Sequence, residues 1–195
     1  LLMPLAGGPG LFVCGLRHSR FRHRLAFSWL QDQYGQIKRE LEQARAIHEL
    51  LFPRPQPQGP VCFQYHYEPM RQIGGDYLYV HREIDPEGRD QAMNLILIDV
   101  TGHGILAALT VNRIHGELDR LFGEQSLTPG EVIFALNHYF SITLSKHGIY
   151  ATAMAVRIDS VQRRIQWANA GHPPAFIVRE KGSVDMIESN SVMLG

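Results

Sequence analysis

The chain has 195 residues, 45% apolar and 19% charged, and its 19 basic residues balance 19 acidic ones. That composition supports one domain with a core and an added segment, and it argues against wholesale disorder. Zero net charge lacks the footprint of a nucleic-acid binder, and two cysteines, Cys14 and Cys62, without metal-type spacing argue against a disulfide scaffold or thiolate zinc site and fit a reducing, cytoplasmic setting.

The chain opens on Leu1 and closes on Gly195, and both ends read as cuts through a longer protein. Residues Leu1 to Leu16 are almost wholly apolar, and a basic cluster from Arg17 to Arg24 follows. This pattern has two readings over residues 1–27. One is the tail of a transmembrane or sensor segment with its cytoplasmic edge, which would make the protein membrane-anchored. The other is the end of a preceding soluble domain, since the run falls short of the ~20 residues a span needs. A secretory signal fits poorly, because the basic residues follow the apolar run.

A linker helix is expected over residues 28–52. Tyr34, Ile37, Leu41, Ala44, His48 and Leu51 recur in steps of three and four, with Lys38, Arg39, Glu42 and Arg45 on the opposite face. The stripe suits a short parallel coiled coil in a homodimer, or an amphipathic helix packed on its own domain. His48 reads as a packed histidine. Pro53, Pro55, Pro57, Gly59 and Pro60 then mark a boundary, with one further domain over residues 53–195.

Beyond it the period changes to two. Val61, Phe63, Tyr65 and Tyr67 alternate with polar neighbours and predict a strand. Tyr77–His81 and Asn94–Val100 predict an antiparallel pair around the turn Asp85–Gly88, the second strand buried on both faces. Helices are expected from Ile105 to Phe122 and from Thr128, where Thr128, Pro129 and Glu131 form a capping box with proline in the first turn. Hairpins over Ala151–Ile158 with Arg164–Asn169, and Ala175–Val178 with Val184–Ile187, complete an α+β pattern with segregated helices.

Three motifs carry chemistry. Gly74-Gly75-Asp76 opens a strand. Asp99-Val100-Thr101-Gly102-His103-Gly104 closes the apolar run Leu95–Ile98 and opens a helix. Asn169-Ala170-Gly171-His172-Pro173-Pro174 ends another strand. A carboxylate at the mouth of a buried strand is costly unless it is paired or bound to metal. Asp76 and Asp99 meet if their strands pair, and such hard oxygen ligands suit Mg2+ or Mn2+. Taken singly, each motif also has a plainer explanation: a turn, a helix cap, a surface loop.

In order and spacing, these motifs resemble the SpoIIE/RsbU-like branch of the metal-dependent type-2C (PPM) serine/threonine protein phosphatases. The matching stretches are Glu42–Pro53, Gly74–Asp76, Asp99–Gly104 with Ala107-Ala108, Pro129–Leu136, Thr152, Asn169–Pro174 and Leu194-Gly195. The resemblance implies a two-sheet antiparallel β-sandwich flanked by helices, here incomplete. It implies hydrolysis of phosphoserine or phosphothreonine with two Mn2+ or Mg2+ ions, held by Asp76, Asp99 and the main-chain carbonyl of Val100. The nucleophile would be metal-bound water rather than a side chain. His103 is a candidate general acid or a loop-ordering residue. Gly75, Thr101, Gly102, Asn169 and His172 would shape the site loops. The expected partner is a phosphorylated protein like the antagonists of anti-sigma factors.

Two departures qualify this. Where the branch often carries a second aspartate, three places after Asp76, this chain has Tyr79. The family's later Thr-Asp-Gly motif and final aspartate have no counterpart here, so this 195-residue piece is expected to be inactive or nearly so. A non-catalytic regulatory or dimerisation module is the alternative.

Overall fold

The computed structural model describes residues 8–69 and 73–195. The chain divides between Ala44 and Arg45 into two compact units. One helix, α1, runs Gly8–Glu49 and supplies the described part of the first unit. It begins well ahead of the expected start at Ser28. Between Arg17 and Tyr34 no glycine or proline interrupts the chain, and arginine, leucine, alanine and phenylalanine all tolerate a helix. The basic cluster thus lies inside the helix. No helix among the described residues is long and apolar enough to cross a membrane, and the start of the apolar run, residues 1–7, lies outside them. Phe27, Leu30, Tyr34 and Ile37 are exposed on α1.

In the second unit come β1 (Asp76–Ile84), β2 (Asp90–Val100), α2 (Ile105–Glu124), α3 (Pro129–Thr143), β3 (Ala151–Asp159), β4 (Arg164–Ala170), β5 (Ala175–Val178) and β6 (Val184–Ile187). Strands β1-β2-β3-β4 form one antiparallel sheet in chain order, and β5-β6 a second. The capping box of α3 is present: the Thr128 hydroxyl accepts from the Glu131 amide, and Glu131 Oε2 accepts from the Thr128 amide at 2.8 Å. Helix α2 lies over β1 and β2, and α3 over β3 and β4.

Side-chain alternation gives the large sheet two unlike faces. Tyr77, Tyr79, Ile96, Ile98, Val100, Ala153 and Ala155 join Val111, Ile114, Leu118, Leu136 and Phe140 in the core. On the opposite face Leu97, Ile165 and Trp167 remain 38%, 42% and 44% exposed. Strand β2 is therefore buried on one face rather than two: the helices cover only one side of the sheet.

The predicted strand at residues 61–67 is absent. Its alternation is real, with Val61, Phe63, Tyr65 and Tyr67 half-buried between exposed neighbours, but only Phe63 makes a bridge, to Gln56. A period-two pattern becomes a strand only where a neighbouring backbone accepts its hydrogen bonds, and among the described residues none runs alongside.

Candidate metal centre

Register builds the site. Asp76, first residue of β1, pairs with Asp99 near the end of β2, and Asp99 pairs with Thr152 on β3. Paired residues share a face, so the three side chains form a row on the open side of the sheet. His172, just past β4, completes it, with Nδ1 2.9 Å from the Thr152 hydroxyl. Thr152 matched the family pattern in sequence, but only the register gives it a place beside the aspartates.

One plainer explanation fails here. Asp99 does not cap the next helix, because Gly104 is the N-cap of α2 and no side chain caps it. Gly74-Gly75-Asp76 is stitched to the Asp99 loop: the Val100 amide donates to the Gly75 carbonyl at 3.2 Å, and the Gly104 amide to the Ile73 carbonyl at 3.2 Å. A Cβ on Gly75 would sit 2.6 Å from the Val100 carbonyl oxygen, so only glycine allows this approach. Gly102 and Gly104 take φ of 96° and 78°, which lets the loop turn away from β2.

The Asn169 loop is closed upon itself. Asn169 is fully buried; its side chain accepts from the His172 amide at 2.8 Å and donates to the His172 carbonyl at 3.0 Å. Asn169 thus fixes the backbone that carries His172. Thr101 stitches the loop to the start of β3, its amide donating to the Tyr150 carbonyl and its hydroxyl accepting from the Tyr150 amide at 3.0 Å. His103 is exposed and makes no hydrogen bond among the described residues, so neither of its expected roles has a contact behind it.

The two carboxylates of the row perturb one another. Partial burial, then the neighbouring Asp76 carboxylate, push the Asp99 carboxyl above its usual range, and His172 offsets part of this. Burial holds the His172 imidazole below its usual range, against the pull of Asp99 and Asp76. Two carboxylates within mutual hydrogen-bonding reach repel unless a proton or a cation lies between them. The donors are hard oxygens, which fits Mn2+ or Mg2+ in kind. In number they are few: among the described residues no three His, Cys, Asp or Glu side chains gather to hold a metal. A cavity of about 380 Å³ opens beside the row, lined by Phe52, Tyr65, Tyr67, Asp76, Leu97 and His172, among others.

Position 79 takes no part. Three places from Asp76 along a strand lies the opposite face, and there Tyr79 donates to Asp119 Oδ1 on α2 at 2.8 Å. In this register a carboxylate at 79 would face the helices, so the tyrosine removes no ligand from the row.

The family described as Stage II sporulation protein E (SpoIIE) matches residues 89–195. The phosphoserine phosphatase RsbP of Bacillus subtilis is 31% identical over 81% of this chain and 38% of its own length. The phosphoserine phosphatase RsbU of the same organism is 25% identical over 82% of this chain and 46% of its own length. The chain thus spans less than half the length of these curated relatives. Two solved structures share the fold. The SiaA-PP2C domain of Pseudomonas aeruginosa has a TM-score of 0.65 at 16% identity, covering 83% of this chain and 63% of that one. The RsbU and RsbW domains of Rv1364c from Mycobacterium tuberculosis have a TM-score of 0.52 at 22% identity, covering 63% of this chain and 32% of that one.

Proposed function

The chain belongs to the SpoIIE family, the SpoIIE/RsbU-like branch of the PPM phosphatases, and on that premise we propose that its Asp76–Asp99 row is the metal-binding part of a protein phosphatase centre. The substrate is phosphoserine or phosphothreonine on a bacterial signalling protein of the sigma-factor regulatory type. One observation carries the reading: the family's two motif aspartates, 23 positions apart in sequence, are direct cross-strand partners.

On this reading Asp76, Asp99 and the Val100 carbonyl hold the divalent cations. Bound there, Mn2+ or Mg2+ supplies a Lewis acid that polarises a phosphoryl oxygen and acidifies water. The chain's own residues do the rest. Thr152 and Asn169 orient His172 at the rim, where its imidazole, kept neutral by burial, can exchange a proton with a group at the row. The Gly102 turn keeps the mouth of β2 open.

The test is Mn2+-dependent release of phosphate from a phosphoserine-bearing protein of that type. The small donor set predicts feeble turnover by this chain, falling at least ~100-fold further in Asp99→Asn. Turnover that is robust and indifferent to Asp99 contradicts the assignment. A second reading is a non-catalytic regulatory module that binds the phosphoprotein. Binding without any Mn2+-dependent turnover selects it.

Helix α1 serves as a dimerisation element on the same proposal. Its support is the heptad stripe, whose members Tyr34 and Ile37 are exposed on α1. Sedimentation equilibrium should find a dimer that Ile37→Asp shifts to monomer. A wild-type chain that stays monomeric at tens of micromolar removes this role.

A further inference from the structure

Gly74–Asp76 is held from two sides. On one side stand the backbone bonds to the Asp99 loop described above. On the other stands a single side chain: the Tyr67 hydroxyl accepts from the Gly74 amide at 3.1 Å. The approach is close enough that a Cβ on Gly74 would lie 3.1 Å from that oxygen and 3.2 Å from Pro69 Cβ.

Tyr67 is itself seated on the last turn of α1 and the residues after it. Its ring centroid lies 4.5 Å from that of Phe52 and 6.4 Å from that of His48. His48 is 5% exposed, and its Nε2 has no partner among the described residues. Phe52 also meets Tyr77 edge-on at 5.5 Å, and the Tyr77 hydroxyl donates to the Leu51 carbonyl at 3.3 Å. The last turn of α1 and the residues just after it therefore reach both sides of Asp76: Gly74 through Tyr67, and Tyr77 through Leu51 and Phe52.

We propose that Tyr67 is a positioning residue for the metal centre, fixing Gly74–Asp76 against the Asp99 loop so that the affinity of the carboxylate pair for a divalent cation depends on how the end of α1 is seated. The proposal rests on the metal-site reading above. A hydrogen bond of this kind is worth a modest factor, about 2- to 10-fold in an equilibrium. Its effect reaches the metal because Asp76 lies two residues beyond the bonded amide. The aromatic seat makes the contact sensitive to α1: loosening Phe52 tilts the tyrosine ring and lengthens the bond.

Two measurements on the full chain test this. Exchange of the Gly74 amide, followed by NMR without metal, should speed up by about 2- to 10-fold in Tyr67→Phe, with global unfolding little changed. Phe52→Leu should speed it in the wild-type background and add nothing in Tyr67→Phe. Tyr139→Phe, which removes a hydroxyl elsewhere, should leave it unchanged. Mn2+ affinity, read by electron paramagnetic resonance of the free ion, should weaken by a similar factor in Tyr67→Phe. Unchanged Gly74 exchange in Tyr67→Phe overturns the proposal, as does a Phe52→Leu effect that persists without the hydroxyl. Faster exchange with no Mn2+ bound by the wild type overturns the metal-site reading and with it the proposed consequence for affinity, while leaving the tie between Tyr67 and Gly74 intact.

Discussion

A single methyl group separates Gly75 from a broken site. The Val100 carbonyl would lie 2.6 Å from an alanine Cβ and the Ala107 methyl 3.2 Å, and the first of these is backbone that cannot rotate away. Gly75→Ala should therefore push β1 from the Asp99 loop and destabilise the domain by about 1–3 kcal/mol, the usual scale for overpacking. Thermal unfolding should show a lower Tm; a wild-type Tm would mean the approach is looser than described. At this scale the sequence was informative about which residues matter and poor about how they meet. The motifs named Asp76, Asp99, Thr152 and Asn169, but Thr152 gains its place beside the aspartates only through the register of β2 on β3, and the alternation that includes Tyr67 said nothing of its bond to Gly74. Tyr79 shows the reverse. The aspartate that the branch often carries at that position is missing, and strand parity puts the position on the helix side.

Elements were legible where local chemistry decides them. The Thr128 capping box, the turn at Asp85–Gly88 and the β5–β6 hairpin all follow from residues a few places apart. Where a distant partner decides, the pattern misled: residues 61–67 alternate like a strand yet lack a neighbour, and β2 looked buried on both faces though helices cover one. One element-level link was invisible in sequence. Glu83 on β1 binds the Arg157 guanidinium on β3 and accepts from Asn94 on β2 at 3.1 Å and Ser126 before α3 at 2.9 Å. These contacts, the Arg157 hydrogen bonds first, hold the Glu83 carboxyl down to about 2. A carboxyl depressed in the folded state stabilises fully above its ordinary value of 4.5 and loses that contribution as pH falls through about 2. Acid titration of stability should thus show a Glu83 component between about pH 4.5 and 2. Glu83→Gln should cost about 1–3 kcal/mol at neutral pH and flatten that part of the acid limb. An unaltered acid limb would mean the cluster contributes nothing.

Across the whole molecule, the second unit reads as a sheet that presents two different surfaces for two tasks. The helix side is a continuous apolar core from Tyr77 to Leu194. The open side carries the row Asp76, Asp99, Thr152 at one end, where strand ends and three loops converge. The segregated helices were legible in sequence order, but the open face was not, since β2 read there as buried on both. Which face carries the carboxylates follows from register, which a one-residue slip would reverse. The measurement closest to the central claim is a Mn2+ titration of the full chain against Asp76→Asn and Asp99→Asn, followed by electron paramagnetic resonance. Saturable binding that weakens at least ~10-fold in each single variant is the predicted result. Equal binding by the wild type and both variants would contradict it.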